Sequence, residues 1–369
     1  MRIMLLQNMY YEPALGGANR SGRRWMELLA ARGHECMVLA LVSSPSAPPA
    51  EDRLIAGVRV RLCHGRALPA TAASLLRAES PDWVLVPSDD PGQLMLGAAV
   101  AYDPARVVYV AHTIQQLPFG PAAYYPSAAG TRLLRKAGAV VSVSEAAAAH
   151  LTRWAGLPSV VIRPHVYADR PPPSSPPATR SETVMVNPCA VKGIELFLAL
   201  AAAFPEQRFV AIPTWGTTPE DRAALDAAPN VTIREPEPDL RPLLRSARAL
   251  VMPSLWDETF GYTCVEAMAE GVPVLASDVG GLREAKLGVP YRLPVRPVTA
   301  YRLARGRPVP TVPEQDPEPW RRALGALLSD EEHHRDIATR SRAAADAFIA
   351  SLDPHALERH LIRLSEGAT

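Results

Sequence analysis

The chain has 369 residues, of which 48% are hydrophobic and 21% charged, the composition of a folded globular protein long enough for two domains. Its 39 basic and 38 acidic residues give a formal net charge of +1, too balanced for the broad basic surface that non-specific nucleic-acid binding needs. The four cysteines are far apart and have no histidine at metal-ligand spacing, so we expect no disulfide framework, no metal site and a reducing cytoplasm.

The first part of the chain alternates between predicted strands and helices. Residues 3–6 predict a buried strand, Gly16-Gly17 a tight loop, residues 18–32 a helix and residues 36–42 a second strand. This βαβ pattern implies a parallel sheet covered by helices on both faces. Further short strands are predicted at residues 83–86, 107–111, 140–143 and 160–163. We therefore predict an N-terminal α/β domain over residues 1–168.

The composition changes between Asp169 and Glu182. This segment holds five prolines among serine and threonine residues and has no apolar periodicity, which predicts an exposed, semi-rigid linker. After it the alternation of strands and helices starts again, so we predict a second α/β domain over residues 183–345. The tail is predicted to be helical over 331–364, and residues 346–369 are expected to return to the N-terminal domain.

The most informative segment is 253–284, PSLWDETFGYTCVEAMAEGVPVLASDVGGLRE. Glu258 and Glu266 stand eight positions apart, one before and one after a Phe260-Gly261 turn. That spacing suits two ends of one extended ligand better than a metal ion or an acid–base pair. Gly280-Gly281 follows a predicted strand, and we expect this pair to offer backbone amides to a phosphate.

This segment resembles the signature of the retaining glycosyltransferases of family 4. The resemblance implies the GT-B fold, in which two Rossmann-like domains with parallel sheets face each other and a helical tail ends the chain. Further matches extend the resemblance over nearly the whole chain: Gly16-Gly17, residues 32–35, 111–113 and 143–145, and Lys192-Gly193. No G-x-G-x-x-G follows the first strand, which excludes a Rossmann dehydrogenase.

The resemblance also implies a role for each residue of a donor site. Glu258 and the backbone around Thr259, Phe260 and Gly261 would hold the hydroxyls of a nucleotide-sugar. Glu266 would accept both ribose hydroxyls.

A second group of residues would carry the catalysis together with Glu258. Lys192 would neutralise the departing diphosphate, whose charge grows as the glycosidic bond breaks. His112 would hydrogen-bond the donor sugar near its reacting carbon, and Gly16-Gly17 would let the N-terminal domain approach the phosphates. The family's retained stereochemistry is ascribed to same-face attack with help from the leaving phosphate, so the resemblance implies no dedicated base, no metal and no cofactor.

One position departs from the family's pattern. An arginine often stands a few residues before the lysine, whereas Asn187 occupies nearly that place here. A neutral amide stabilises a diphosphate less than a guanidinium does. We therefore expect either weaker donor binding or help from another cation such as Arg20.

The sequence thus predicts a cytoplasmic, metal-independent, retaining glycosyltransferase. It would move a hexose or N-acetylhexosamine from a nucleotide-diphosphate sugar, with UDP as the nucleotide, to a small-molecule acceptor in specialised-metabolite biosynthesis. Two alternatives stay open: a transferase for cell-envelope polysaccharide or lipid, and a catalytically silent homologue that binds a partner. Arg20, Arg23 and Arg24 make the first helix basic, but on a neutral protein we expect a docked helix and no membrane contact.

Overall fold

The computed structural model describes residues 1–14, 16–42, 52–167, 180–237, 239–304 and 307–367. The chain divides into two compact units. Unit 1 consists of Met1–Ala168 and Leu352–Thr369, and unit 2 of Asp169–Ser351. Most of the predicted linker, residues 169–179, lies outside the described residues.

Unit 1 is an α/β sandwich around one large sheet. Its strands are β1 Arg2–Tyr10, β2 Glu35–Leu41, β3 Arg53–Ile55, β4 Val58–Cys63, β5 Trp83–Pro87, β6 Val107–Ala111, β7 Ala139–Ser142 and β8 Val160–Val161. Its helices up to residue 168 are α1 Gly17–Ala31, α2 Leu68–Glu79, α3 Leu94–Tyr102, α4 Ala128–Leu134 and α5 Glu145–Ala155. The strand order is β3-β4-β2-β1-β5-β6-β7-β8, and all pairs of the described strands are parallel except β3 with β4.

Alternate side chains of β1 fill two apolar cores on opposite faces of this sheet. Ile3 and Leu5 pack in the core that α1 covers, and Met4 and Leu6 pack in the core that α2 and α3 cover. Successive side chains of a strand point to opposite faces, so a strand buried on both faces is apolar throughout. This explains why the first strand appears in the sequence as an uninterrupted apolar run.

Unit 2 has a second parallel sheet. Its strands are β9 Glu182–Val186, β10 Arg208–Ile212, β11 Val231–Ile233, β12 Ala247–Met252, β13 Val274–Ser277 and β14 Arg292–Leu293, followed by a separate antiparallel hairpin, β15 Tyr301–Ala304 and β16 Arg307–Pro310. Its helices are α6 Ile194–Ala203, α7 Pro219–Asp226, α8 Arg241–Ser246, α9 Tyr262–Ala269, α10 Leu282–Ala285, α11 Glu318–Ser329 and α12 Glu331–Ser351.

Both sheets contain the doubly wound strand order in which the chain winds outward in two directions from the middle. In unit 2 the order is β11-β10-β9-β12-β13-β14, so the direction reverses between β9 and β12. In unit 1 the same pattern runs through β4-β2-β1-β5-β6-β7 and reverses between β1 and β5. The crevice outside the carboxyl ends of the strands at such a reversal is where open α/β sheets bind ligands.

The tail is helical over most of the predicted range 331–364, with one break. The helix is interrupted at residues 352–355, a turn that contains Pro354, because proline lacks the N–H that a continuous helix would use. The last helix, α13 Ala356–Gly367, packs in unit 1, where Leu357 and Leu361 join the core beside α1. Since α12 runs unbroken to Ser351, unit 2 extends beyond the predicted limit at residue 345.

The basic residues of α1 make contacts within unit 1. Arg23 forms ion pairs with Glu27 at 2.7 Å and Glu12 at 3.1 Å, and Arg24 donates to the His165 carbonyl at 3.3 Å. The opposite face of α1 is buried. Among the described residues, no helix combines the length and the apolar character that crossing a membrane requires.

Candidate active site

Two loops of unit 2 meet at the carboxyl ends of β9 and β12. The Leu255 N–H donates to the Val191 carbonyl at 2.9 Å, which joins the loops by their backbones. Gly193 has a φ of +78°, and a Cβ there would lie 2.1 Å from the Pro253 carbonyl oxygen. Only glycine permits this approach, which places the loop carrying Lys192 against the loop carrying Glu258.

Lys192 and Glu258 form a largely buried ion pair. The Lys192 Nζ donates to Glu258 Oε1, the Ser254 hydroxyl donates to the same oxygen, and the Lys192 Nζ lies 4.3 Å from the ring centroid of Trp256. Burial raises the pKa of the Glu258 carboxyl, but Lys192, Ser254 and Trp256 outweigh burial and hold that pKa below its ordinary value. The carboxylate is therefore ionised at neutral pH.

Gly280 and Gly281 pack bare backbone against the Glu258 loop. The Gly281 N–H donates to the Glu258 carbonyl at 2.6 Å, and a Cβ on Gly281 would lie 2.2 Å from the Thr259 carbonyl oxygen. A Cβ on Gly280 would lie 2.5 Å from the Glu258 carbonyl oxygen. The prediction that this pair offers amides to a phosphate is wrong for Gly281, because its amide already has a partner within the protein.

The residues after Glu258 lead into α9. Gly261 has a φ of +114°, which suits glycine, and stands just before the helix. The Phe260 side chain is buried and stacks on Phe348 of α12, with centroids 5.7 Å apart. This stacking anchors the loop, so the backbone at Thr259–Gly261 is the part that can serve a ligand. Glu266 is half-buried in the second turn of α9.

Asn187 follows β9 and has a φ of +58°, a conformation that asparagine tolerates better than most residues. Its Oδ1 accepts a hydrogen bond from the Gly216 N–H at 3.0 Å. Its Nδ2 is buried and has no hydrogen-bond partner among the residues the structure describes. The amide therefore has one donor group left for a ligand oxygen, although it carries no charge.

Sequence reasoning missed two tryptophans of this site. The rings of Trp215 and Trp256 lie 5.7 Å apart at an angle of 35°, and 65% of Trp215 is exposed. Trp256 stands two residues before Glu258, so its place in the motif could have indicated it. Trp215 lies in a turn after β10, and nothing in its local sequence connects it with Lys192.

The remaining predicted residues belong to unit 1. Gly16 has a φ of +90° and stands just before α1, whose first residue is Gly17 and whose first turn has no side-chain cap. His112 follows β6, is 7% exposed and stacks on Trp25. Neither ring nitrogen of His112 has a hydrogen-bond partner among the described residues. Burial lowers the pKa of His112 to about 4, so the imidazole is neutral at pH 7.

Comparison with known proteins links both units to one family. A family profile described as "Glycosyltransferase Family 4" matches residues 15–170, and one described as "Glycosyl transferases group 1" matches residues 183–330. The chain belongs to the family 4 glycosyltransferases. Within the described residues of this family member, no three His, Cys, Asp or Glu side chains are grouped so that they could hold a metal ion.

Curated relatives of this family 4 chain match it over limited segments. A D-inositol 3-phosphate glycosyltransferase of Nocardia farcinica is 36% identical over 128 residues, which is 34% of this chain and 24% of the relative. The same-named protein of Salinispora tropica is 32% identical over 157 residues, which is 40% of this chain and 29% of the relative. The matched segments thus span less than a third of each relative.

Solved structures share the fold over nearly the full length. A sucrose-phosphate synthase from Thermosynechococcus elongatus has a TM-score of 0.72 with 19% identity, and all of both chains is covered. HepE of Anabaena, solved in complex with UDP and glucose, has a TM-score of 0.70 with 17% identity, and 99% of both chains is covered. These similarities confirm the predicted GT-B class with its parallel sheets and C-terminal helices.

Proposed function

We propose that this protein is a retaining, metal-independent glycosyltransferase that transfers a hexose or N-acetylhexosamine from a UDP-sugar to a small-molecule acceptor. The observation that carries the proposal is the Lys192–Glu258 ion pair, at the point where the strand order of unit 2 reverses. A cation and a carboxylate fixed side by side can bind two chemically different parts of one ligand. A diphosphate needs the cation, and sugar hydroxyls need the carboxylate.

The buried ion pair is also suited to catalysis by charge. Lys192 is held over Trp256 and against Glu258 before any ligand arrives, so little reorganisation is needed when negative charge develops on a leaving diphosphate. The second nucleotide contact is Glu266 with the ribose, and Asn187 Nδ2 is a donor for a phosphate oxygen. His112 is neutral and can donate or accept a hydrogen bond at the sugar.

The proposal also covers the setting of the reaction and the acceptor. We place the reaction in the cytoplasm and in specialised-metabolite biosynthesis, with the acceptor proton passing to the leaving phosphate. The curated relatives are named for D-inositol 3-phosphate, which makes a cyclic polyol a sensible first acceptor to test.

The experiment is a nucleotide screen followed by a turnover assay. UDP at 100 times its dissociation constant should stabilise the protein by about 2.7 kcal/mol against unfolding, while ADP and GDP at the same concentration should stabilise it less. UDP-sugars incubated with the protein should release UDP, and NMR of the transferred sugar should show the anomeric configuration of the donor. UDP binding without UDP release from any UDP-sugar would favour the silent homologue, and an inverted product would contradict retention.

A further inference from the structure

The carboxyl ends of β5 and β6 carry a group of polar side chains of which the proposed donor site uses only His112. These neighbouring strands pair in parallel, with Pro87 opposite Val110. The Ser88 hydroxyl accepts the N–H groups of His112 and Thr113, at 3.0 and 2.9 Å. The Thr113 hydroxyl donates to Asp89 Oδ1 at 2.8 Å. The two strand ends are therefore tied into one rigid structure that fixes the Asp89 carboxylate.

The two oxygens of that carboxylate differ in their surroundings. Asp89 Oδ2 is enclosed and has no hydrogen-bond partner among the described residues. The adjacent Asp90 differs, because its Oδ2 accepts the N–H groups of Met95 and Leu96 at the start of α3. Asp90 therefore supports the helix, whereas Asp89 Oδ2 makes no hydrogen bond within the part of the chain that the structure describes. A buried charged oxygen without a partner is destabilising, and burial raises the pKa of Asp89 to about 6.

Other unpartnered atoms occur in the segment that follows β6. Both ring nitrogens of His112 are buried without partners within the described part of the chain, and so is Gln116 Oε1, in the turn at Ile114–Gln116. The oxygens of Asp89 and Gln116 can only accept hydrogen bonds, and a neutral imidazole adds one acceptor and one donor. The set is rich in acceptors, so a ligand that satisfies it must bring hydrogen-bond donors.

The position in the sheet supports a ligand site. The strand order of unit 1 reverses between β1 and β5, and Asp89 is the second residue after β5. The crevice at such a reversal is the usual binding place in an open α/β sheet. His112, which the proposed function places at the donor sugar, follows the next strand and precedes Thr113 in the chain.

We propose that Asp89 selects the acceptor of the reaction: its free oxygen takes a hydrogen bond from a hydroxyl or ammonium group of a polyol, and it rejects a polyol that carries phosphate at that place. This inference rests on the proposed function, since it identifies the acceptor class of the same reaction. An anionic phosphate beside an enclosed carboxylate would leave two like charges without a donor between them. The acceptor class therefore differs from the one in the name of the curated relatives.

The test uses three probes with one ring: myo-inositol, an amino-deoxy-inositol and D-myo-inositol 3-phosphate. Their binding to the full chain with UDP present is measured by calorimetry at pH 7.5, and UDP affinity and UDP release from UDP-sugar are measured on the same preparations. The amino or hydroxyl probe should bind at least ten-fold more tightly than the phosphate. UDP binding and release report on the proposed function, and the ranking of the probes reports on Asp89.

The variant Asp89→Asn keeps the acceptor for Thr113 and replaces the free oxygen with a donor. This variant should bind the amino probe at least ten-fold more weakly. It should bind the phosphate probe as tightly as the wild type or more tightly, and its UDP affinity should be unchanged. The control is Asp82→Asn at the other end of β5, whose half-exposed side chain accepts the Arg2 N–H at 2.7 Å and can still do so as an amide. Phosphate binding as tight as that of the amine, no binding of any probe by a protein that binds UDP, or an unchanged ranking in Asp89→Asn would overturn the assignment.

Discussion

The imidazole of His112 lies against the indole of Trp25, with ring centroids 5.5 Å apart and 22° between the planes. Trp25 is buried in the core under α1, so the histidine ring is held by packing and not by a hydrogen bond within the described protein. A ring fixed this way keeps both nitrogens for a ligand. The arrangement also leaves a neutral histidine that is hard to protonate, which has a measurable consequence for stability.

The first prediction concerns this histidine and pH. The folded-state pKa of His112 is about 4, below the ordinary 6.5, so the stability it confers is complete above pH 6.5 and is lost as pH falls towards 4. His112→Gln should abolish this component, which amounts to at most about 3 kcal/mol. Urea unfolding at pH 7 and pH 4.5 measures it: the stability difference between the two pH values should be smaller in the variant.

The control for this measurement is His64→Gln, at a half-buried histidine of the same unit. This variant should show the wild-type difference between the two pH values. An identical difference in wild type and His112→Gln would mean that the His112 ring can be protonated in the folded protein.

The second prediction concerns Glu266 and the ribose. Glu266→Gln replaces a carboxylate that would accept two hydroxyls by a neutral amide, so UDP binding should weaken by about 1–3 kcal/mol. The loss should be equal for UDP and UDP-sugar, since both carry the ribose. Glu195→Gln, at an exposed residue in the first turn of α6, is the control and should bind UDP normally. Reduced turnover with unchanged UDP affinity would argue against the ribose assignment.

Much of the fold could be predicted because buried parallel strands are short apolar runs separated by helical stretches. The runs at 107–111 and 140–143 coincide with or nearly match β6 and β7. The segment from β3 to α2 was not predicted, since β3 lies at the edge of the sheet and its side chains are largely exposed. An edge strand lacks the continuous apolar pattern on which such a prediction depends.

Motifs allowed the residues of the candidate site to be predicted, but not the contacts between residues far apart in the chain. Glu258, Thr259–Gly261 and Glu266 are close together in the chain, and their motif identifies them without a structure. The contact of Lys192 with Glu258 and the pairing of Asp89 with Thr113 join residues far apart in sequence. Such contacts come from strand order, which local patterns do not encode.

The third prediction concerns the bare backbone under the Glu258 loop. Gly281→Ala places a Cβ 2.2 Å from the Thr259 carbonyl oxygen and 2.6 Å from the Phe260 Cα, so the backbone itself must move. The variant should lose stability by about 1–3 kcal/mol and bind UDP-sugar more weakly.

Gly97→Ala is the control, because a Cβ at that position in α3 meets nothing within 4 Å. It should be neutral or slightly stabilising, as alanine favours helix over glycine. Wild-type stability and donor affinity in Gly281→Ala would refute the packing argument.

The last prediction separates the two members of the ion pair. Lys192→Met removes the charge that faces the leaving group, so turnover should fall by about 10²–10³ and UDP affinity should fall with it. Glu258→Gln removes a contact to sugar hydroxyls that UDP lacks, so turnover should fall while UDP affinity stays near wild type.

Stability at different pH values tests the same pair in the absence of ligand. Wild-type Glu258 has a depressed pKa, so the stability it confers is present above the ordinary carboxyl pKa and is lost as pH falls through the folded-state value. In Lys192→Met the lysine no longer opposes the effect of burial on Glu258. The pKa of the Glu258 carboxyl should therefore rise, and the stability of the protein should fall as pH increases towards 7. Glu258→Gln has no such carboxyl and should lack this dependence.

Turnover, UDP affinity and urea unfolding at pH 5 and 7.5 are measured on both variants. If Glu258→Gln loses UDP binding as severely as Lys192→Met, the donor does not lie with its diphosphate at Lys192 and its sugar at Glu258.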